Sequence, residues 1–287
     1  MQALRAAGIL FVFLFVTFLL IPWQESALRF RLGRRKTFPH RYHRFLCRLF
    51  GIRVTVLGTP VQSSGVLMVA NHTSYFDILV FSAAARVSFI AKHEVASWPL
   101  AGTLARLQET VFIERTRRSQ TAAARDVIRE RLIEGDALIL FPEGTSDDGN
   151  SVLPFKSALL GAAEIDIGTD NQGRPRHVPV QPVTISYVGL YGLPMGRDMR
   201  PLFAWYGDMD LVPHLWEALK TGPFEAVVEF HPPLSVDSVG GRKALATVAE
   251  SMVRQGQTRA LTGLSPLKQA ILESEEMSSE PVLEAAA

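Results

Sequence analysis

The sequence predicts an α/β domain that follows an apolar amino-terminal helix. From about residue 51 onward, short apolar runs alternate with stretches of helical periodicity, which favours an α/β fold over a helical bundle or a β-sandwich. The chain has 287 residues and is 47% hydrophobic, so it can bury one substantial core in a domain of about 200 residues. Ahead of that domain, residues 6–23 carry no charged side chain and are dense in Leu, Phe, Val and Ile.

This apolar stretch predicts a retained membrane anchor, which we assign to residues 1–25. Its 18 residues make a helix of about 27 Å, enough to cross or deeply enter a bilayer core of ~30 Å. A cleaved signal peptide is the alternative, but Ile21–Glu25 offers no small-residue cleavage site. Trp23 suits an interfacial position, which favours the anchor.

Residues 26–50 are predicted to form a basic amphipathic segment on the membrane surface. No Asp or Glu occurs between Ser26 and Phe76, where the basic residues are Arg29, Arg31, Arg34, Arg35, Lys36, Arg41, Arg44, Arg48 and Arg53. The positive flank places the chain that follows on the cytoplasmic side. Within the segment, apolar residues recur at helical spacing: Tyr42, Phe45, Leu46, Leu49 and Phe50. The alternative is a helix that packs on the domain and exposes its arginines. The upstream anchor disfavours nucleic acid as a partner.

The catalytic domain is predicted to span residues 51–255. Its predicted strands are Val54–Leu57, Val66–Ala70, Ser88–Ala91, Val111–Ile113, Ala137–Phe141, Val178–Tyr187 and Ala226–Phe230. The clearest helix runs from about Ser119, a suitable N-cap, to Glu134, and Gly135 ends it. Residues 256–287 are predicted to form a C-terminal helix and a disordered acidic tail, because residues 273–287 hold five Glu and no basic residue.

The stretch from Asn71 to Asp77 carries the strongest chemical signal. It follows the buried strand Val66–Ala70, so His72 lies just past the carboxyl end of a strand, where open α/β sheets bind their ligands. If a turn bends the chain, the Asp77 carboxylate accepts from one ring nitrogen of His72 and leaves the other free to take a proton from a hydroxyl. A helix-capping Asp beside a structural histidine is the alternative.

Two further clusters follow predicted strands. Arg115 comes after Val111–Ile113 and suits a phosphate or carboxylate, although a solvated loop gives the same pattern. Glu143, Gly144 and Thr145 come after the strand that ends at Phe141. There a glycine lets backbone approach a ligand, and backbone N–H groups with the threonine can hold an anion or oxyanion. Lys156 follows in what is predicted to be the next helix.

The segment Val178–Val183 contains two prolines and has two interpretations. Prolines suit an edge strand or a bend that lines a pocket, whereas the apolar residues between them suit a kinked core strand.

Together these blocks resemble the PlsC-type glycerolipid acyltransferase family, the lysophosphatidate acyltransferases and their relatives. The family's motif of His, four residues and Asp matches His72 and Asp77. Its other blocks match Phe112–Arg115, Phe141–Thr145 and Val178–Val183, and the likeness covers about residues 51–233. It implies a mixed central sheet flanked by helices, preceded by a hydrophobic anchor.

The resemblance also implies acyl transfer from an acyl thioester, on acyl carrier protein or coenzyme A, to the hydroxyl of a lysolipid in the bacterial inner membrane. His72 is then the general base and Asp77 orients it, while the implied head-group ligands are Arg115, Glu143, Gly144 and Thr145. Lys156 is predicted as a further substrate-binding residue. No covalent acyl-enzyme is needed, and no Gly-x-Ser-x-Gly elbow occurs. Metal-ligand spacings and a Gly-rich nucleotide loop are absent from the sequence, so neither a metal nor a resident cofactor is predicted.

One departure from the family pattern concerns the acceptor. Members that acylate lysophosphatidate resemble Phe-Pro-Glu-Gly-Thr followed by Arg, whereas here Thr145 is followed by Ser146, Asp147 and Asp148. Carboxylates repel a phosphomonoester and attract an ammonium group, so Asp147 or Asp148 is predicted to bind the ammonium of lyso-ornithine lipid. The alternative is a solvated turn that says nothing about the head group. The flanking sequence also looks closer to bacterial lyso-ornithine lipid acyltransferases. Lysophosphatidate acylation, thioester hydrolysis and non-catalytic lipid binding remain the alternatives.

Overall fold

A computed structural model describes residues 1–61, 65–114, 118–169 and 175–263, apart from the side chains of residues 118–123 and 175. The predictions made for Arg115 and for the acidic tail concern residues outside this description.

The helices alternate with strands along most of the domain. The α-helices are α1 (Gln2–Arg29), α2 (Phe38–Phe50), α3 (Phe76–Ala84), α4 (Ala101–Leu107), α5 (Arg118–Ile133), α6 (Leu211–Thr221), α7 (Val236–Val239) and α8 (Arg242–Thr262). Short 3-10 helices occupy Gly33–Lys36, His93–Ser97, Ser157–Glu164 and Arg200–Leu202. The strands are β1 (Arg53–Gly58), β2 (Val66–Ala70), β3 (Ser88–Lys92), β4 (Val111–Ile113), β5 (Ala137–Leu140), β6 (Asp166–Thr169), β7 (Pro175–His177), β8 (Val180–Leu190), β9 (Leu193–Pro194) and β10 (Phe224–Phe230).

Within the described residues, eight strands form one mixed sheet. Its order is β1-β10-β8-β2-β5-β3-β4, with β9 paired to β8, while β6 and β7 form a separate antiparallel pair. Strand β10 runs antiparallel to β8, and the pairs from β8 through β2, β5 and β3 to β4 are parallel. Every predicted strand coincides with an observed one to within three residues at each end. The predicted α/β fold class and its mixed sheet are confirmed.

Helices cover both faces of this sheet and bury two apolar clusters. Helices α1, α2, α3 and α6 lie on one face, where the cluster includes Phe50, Met68, Phe76, Ile185 and Leu219. Helices α5 and α8 lie on the other with the 3-10 helix Ser157–Glu164, and that cluster includes Leu67, Leu132, Leu138, Leu160 and Leu245. Strands such as β2 are buried on both faces, which explains their unbroken apolar sequence.

Strand β8 is a core strand with a proline inside it. It lies between β2 and β10, and Pro182 is paired with Val69 of β2. The Pro182 carbonyl accepts a bond from the backbone N–H of His231. Of the two interpretations of Val178–Val183, the core strand is therefore the observed one, and the edge position was wrong.

Helix α2 packs its apolar side on the domain. Leu46, Cys47 and Phe50 are buried, whereas Arg41 and Arg44 are exposed. This is the alternative arrangement considered for the segment, and the arginines form an outward basic face. The sequence pattern shows that such a helix has an apolar side but does not show what covers it.

Helix α1 is long and apolar enough to cross a membrane by length and composition. It continues to Arg29, four residues beyond the predicted end of the anchor at residue 25. At the other end of the domain, α8 runs from Arg242 to Thr262 as one helix, across the predicted boundary between residues 255 and 256.

Candidate active site

The loop from Asn71 to Tyr75 leaves the carboxyl end of β2 and leads into α3. Asn71 fixes the start of this loop. Its side-chain amide donates to the carbonyl of Ile185 at 2.8 Å and accepts from the N–H of the same residue at 2.9 Å. Asn71 thus continues the pairing of β2 with β8 after β2 has ended, and it holds the next residue, His72, at the edge of the sheet.

His72 and Asp77 form the predicted pair. His72 Nδ1 lies 2.8 Å from Asp77 Oδ2, and the two side chains are 22% and 0% exposed. Asp77 stands in the first turn of α3, where Oδ2 also accepts the N–H groups of Thr73 at 2.7 Å and Ser74 at 3.0 Å. With Nδ1 engaged by the carboxylate, Nε2 is the nitrogen that can exchange a proton with a ligand.

The second oxygen of Asp77 is bonded to a residue that sequence analysis did not select. The hydroxyl of Tyr187 donates to Asp77 Oδ1 at 2.6 Å. Burial raises the pKa of Tyr187 well above its ordinary value, so the phenol keeps its proton. Asp77 therefore receives hydrogen bonds on both oxygens, which satisfies a carboxylate that is fully buried.

Glu143 faces inward and supports the loop. It is 1% exposed, and its oxygens accept the backbone N–H groups of His72 and Leu153, both at 3.0 Å. Burial raises the pKa of Glu143 to about 8, against the opposing effect of these two donors. Glu143, a predicted head-group ligand, is thus bonded to the backbone of the loop that carries His72.

The other residues of the Phe-Pro-Glu-Gly-Thr block lie around His72. The Phe141 ring stacks on the imidazole of His72 with centroids 4.1 Å apart and planes 16° apart. Gly144 has a φ of +75°, and a Cβ there would lie 3.1 Å from Lys156 Nζ. Thr145 is exposed. The structure therefore brings Lys156 to the turn that holds Gly144 and Thr145.

The acidic turn, residues 146–150, adjoins the loop that carries His72. The N–H of Asp147 donates to the carbonyl of His72 at 3.1 Å, and Asp147 Oδ2 accepts from the hydroxyl of Ser151 at 2.7 Å. Both oxygens of Asp148 accept from Asn150, at 2.8 and 3.0 Å. Of the two predicted ammonium ligands, Asp147 is the one bonded directly to the backbone of His72.

A buried arginine that the sequence did not point to supports this turn. Arg200 is 8% exposed, and its Nη1 donates to Asn150 Oδ1 at 2.7 Å. The negative charge of Asp148 favours the protonated guanidinium, although burial lowers the pKa of Arg200 overall. Arg200 thus offsets part of the negative charge of Asp148.

An aromatic wall, formed by Trp98, Tyr75 and Trp205, stands beside the loop. The Trp205 backbone accepts from Ser146 Oγ at 2.5 Å and donates to the Thr73 carbonyl at 3.0 Å. Its ring lies 6.1 Å from that of Tyr75 and 5.7 Å from that of Trp98. Trp205 therefore connects the loop that carries His72 to the acidic turn, a role with no local sequence signal.

Arg115 lies outside the described residues, but the strand before it does not. Strand β4 is separated from β2 by β3 and β5 in the sheet. Among the described residues, no group of three or more His, Cys, Asp or Glu side chains is arranged to hold a metal ion.

Comparisons with known proteins point to one family. A family model described as Acyltransferase matches residues 52–186. The lyso-ornithine lipid O-acyltransferase of Brucella abortus is 46% identical over 244 residues, which cover 85% of this chain and 90% of that protein. The 1-acyl-sn-glycerol-3-phosphate acyltransferase of Neisseria gonorrhoeae is 33% identical over 195 residues, which cover 68% of this chain and 70% of that protein.

A solved structure shares the fold. The crystal structure of the 1-acyl-sn-glycerophosphate acyltransferase PlsC from Thermotoga maritima matches with a TM-score of 0.60 and 23% sequence identity. The match covers 98% of this chain and 99% of that one.

Proposed function

The chain belongs to the PlsC-type acyltransferase family, and from this premise we propose that it transfers a fatty acyl group from an acyl thioester to the hydroxyl of a lysolipid. The observation that supports this most is the pairing of His72 Nδ1 with a buried, hydrogen-bonded Asp77 at the carboxyl edge of the sheet. This geometry presents Nε2 of a partly exposed imidazole as a general base.

In the proposed mechanism, His72 Nε2 removes the proton of the acceptor hydroxyl as its oxygen attacks the thioester carbonyl. The tetrahedral intermediate then breaks its C–S bond, an ester forms, and the thiol leaves with the proton that His72 had taken. Asp77 holds the imidazole and stabilises its charged form between the two steps. The chemistry uses the thioester as co-substrate and needs no metal and no resident cofactor.

The test is His72→Ala in purified, detergent-solubilised protein. Loss of the base should lower the rate of acyl transfer by at least about 10²-fold. His177→Ala is a matched control. His177 lies on strand β7, outside the site, and its Nδ1 is also paired with a carboxylate, that of Asp237, at 2.8 Å. His177→Ala should keep the wild-type rate. A near-native rate in His72→Ala would contradict the assignment of the base.

For the acceptor we propose lyso-ornithine lipid, acylated on the hydroxyl of its 3-hydroxy fatty acyl chain. Two observations support it: the higher identity to a lyso-ornithine lipid O-acyltransferase and the position of Asp147 beside His72. The Asp147 carboxylate suits the ornithine ammonium and disfavours the doubly charged phosphate of lysophosphatidate. In this proposal Arg115 binds the ornithine carboxylate.

A two-acceptor assay separates these possibilities. With acyl carrier protein thioester as donor, the wild type should acylate lyso-ornithine lipid faster than lysophosphatidate. Asp147→Asn should reduce that preference, whereas Asp208→Asn, a change in an exposed loop, should not. Preference for lysophosphatidate would support phosphatidate synthesis instead. Release of free fatty acid in the absence of lysolipid would indicate a thioester hydrolase. Absence of any turnover would indicate a non-catalytic lipid-binding module.

We also propose that the domain lies on the cytoplasmic face of the bacterial inner membrane, with acyl carrier protein as a donor. Helix α1 supports this through its exposed apolar side, and the arginines of α2 support it by facing outward near an anionic leaflet. Protease treatment of intact spheroplasts should leave the chain uncut, and opening the membrane should expose it. Cleavage in intact spheroplasts would place the domain on the other side.

A further inference from the structure

Strand β8 passes beneath the catalytic loop. It pairs with β2 in parallel from Leu67 opposite Val180 to Ala70 opposite Val183, and it continues after β2 ends. Side chains two apart on a strand share a face. Val183, Ile185 and Tyr187 accordingly belong to the cluster under α3, the helix that carries Asp77. The continuation of β8 thus delivers one polar group, the Tyr187 hydroxyl, into an apolar cluster.

The ring of Tyr187 is held in place by packing that does not involve Asp77 or His72. It packs against Phe224 of β10 with centroids 4.9 Å apart and is 2% exposed. A buried phenol with fixed ring atoms places its hydroxyl at a fixed point. That point is 2.6 Å from Asp77 Oδ1, while the bond to His72 is made by Oδ2.

The two oxygens of Asp77 therefore have separate tasks. Oδ2 receives the imidazole and two backbone N–H groups, and Oδ1 receives the phenol. Without the phenol, Oδ1 would be a buried carboxylate oxygen lacking a donor, and rotation about Cβ–Cγ would be less restricted. A hydrogen bond to an anion also draws part of its charge toward the donor, which weakens the pull of the carboxylate on the imidazole proton.

We propose that Tyr187 is a positioning residue for the proton transfer: through Asp77 it fixes the orientation of His72 and weakens the pull of the carboxylate on the imidazole proton. The inference rests on the proposed role of His72 as general base. It also connects the Val178–Val183 block to the site, because the last four residues of that block begin β8, the strand that carries Tyr187.

Other titratable groups face this pair and are shared by every variant below. Glu143 bonds to the His72 backbone, and Asp147 lies close enough to raise the pKa of Glu143. On the opposite side, Tyr75 lies near Tyr187 and its hydroxyl is 2.9 Å from His214 Nδ1 on α6. Comparison between proteins that differ only at Tyr187 isolates the phenol from these groups.

The experiment begins with the kinetics of Tyr187→Phe in the full-length protein. The rate constant kcat should fall about 10-fold while KM for the acceptor stays near the wild-type value, because the phenol does not contact substrate. The acid limb of the kcat/KM profile should move up by about one pH unit, since a carboxylate without its phenol donor favours the imidazolium. Tyr42→Phe is the matched control, because its hydroxyl bonds to Thr17 on α1, outside the site.

A second readout does not need activity. Diethyl pyrocarbonate modifies neutral imidazole, and peptide mass spectrometry reports the rate at His72 alone as a function of pH. The pH midpoint of the modification rate at His72 should rise in Tyr187→Phe and stay unchanged in Tyr42→Phe. Replacement of Tyr187 by 3-fluorotyrosine, which keeps the ring and makes the hydroxyl a stronger donor, should move the midpoint in the opposite direction.

The outcomes are distinct. Equal His72 midpoints in the wild type, Tyr187→Phe and the fluorotyrosine protein overturn the proposal, even if Tyr187→Phe is less stable or less active. Opposite shifts support it, and the fluorotyrosine protein keeps the test decisive if Tyr187→Phe folds poorly. If the midpoint shifts occur in a protein that acylates no lysolipid, the proposed function fails, but the influence of Tyr187 on His72 through Asp77 is still supported.

Discussion

His72 depends on a carboxylate whose surroundings tolerate an isosteric amide. In Asp77→Asn, the amide oxygen can still accept from His72 Nδ1, and the amide nitrogen can donate to the Tyr187 oxygen. The fold should survive, but the charge that stabilises the imidazolium is lost. We expect kcat to fall by about 10²-fold or more, with an unchanged circular dichroism spectrum. A near-native rate would show that Asp77 only shapes the loop.

Glu143 gives stability an unusual dependence on pH. In the folded state its pKa is about 8, whereas in the unfolded chain the carboxyl ionises near 4.5. Between these values the folded state holds the extra proton. The contribution of Glu143 protonation to the free energy of unfolding is therefore complete below about pH 4.5. It declines as pH rises to about 8, by up to roughly 1.4 kcal/mol per pH unit.

Glu143→Gln tests this sign. The amide does not titrate, and its nitrogen cannot accept, so one of the N–H groups of His72 and Leu153 loses its partner. We expect the variant to be less stable than the wild type by roughly 1–3 kcal/mol at about pH 5. The difference should shrink as pH rises and reverse sign by about pH 8, because the wild type loses up to roughly 1.4 kcal/mol per pH unit while the amide does not titrate. Urea unfolding across this range measures it, and a difference that widens with pH would contradict the raised pKa.

The Asn71 side chain extends the hydrogen bonding between β2 and β8 by two bonds beyond the end of β2. Asn71→Ala leaves the N–H and carbonyl of Ile185 buried without these partners. We expect a loss of roughly 1–3 kcal/mol in the free energy of unfolding and a lower kcat, because the loop that carries His72 starts at this residue. Chemical unfolding and the acyltransfer rate check both. Wild-type stability would mean that water replaces the amide.

Elements differ in how far the sequence predicts them. Runs such as Val66–Ala70 are buried on both faces, so their apolar composition alone located the strands. Helix α2 was recognised, but its apolar side was assigned to the membrane because a sequence does not show what a face packs against. The pairing of His72 with Asp77 is local and was predicted. Tyr187 comes from 110 residues along the chain, and only the register of β8 brings it to Asp77.

Helix α1 has two sides with different environments. One narrow stripe, with members three, four or seven residues apart, faces the domain: Ala6, Leu10, Phe13, Thr17, Gln24 and Ala27. Along this stripe, Gln24 donates to the carbonyls of Arg35 and Leu107, each at 3.0 Å. The remaining side is apolar and exposed, with Phe11, Phe15 and Phe18 each more than half accessible. Helix α1 thus packs on the domain along this stripe, while its opposite side is exposed, apolar and suited to membrane contact.

The two sides should respond differently to substitution. Replacing Phe11, Phe15 and Phe18 with serine removes side chains whose burial in the bilayer contributes about 1.5–3 kcal/mol each, so the protein should detach from anionic vesicles with its thermal midpoint in detergent unchanged. Gln24→Ala should do the reverse: it removes two hydrogen bonds worth about 0.5–1.5 kcal/mol each and lowers the midpoint, while vesicle binding persists. Flotation and thermal unfolding, measured on both variants, separate the effects. If both variants lost binding and stability together, the helix would not have two independent faces, and membrane contact would be required for the domain to hold its shape.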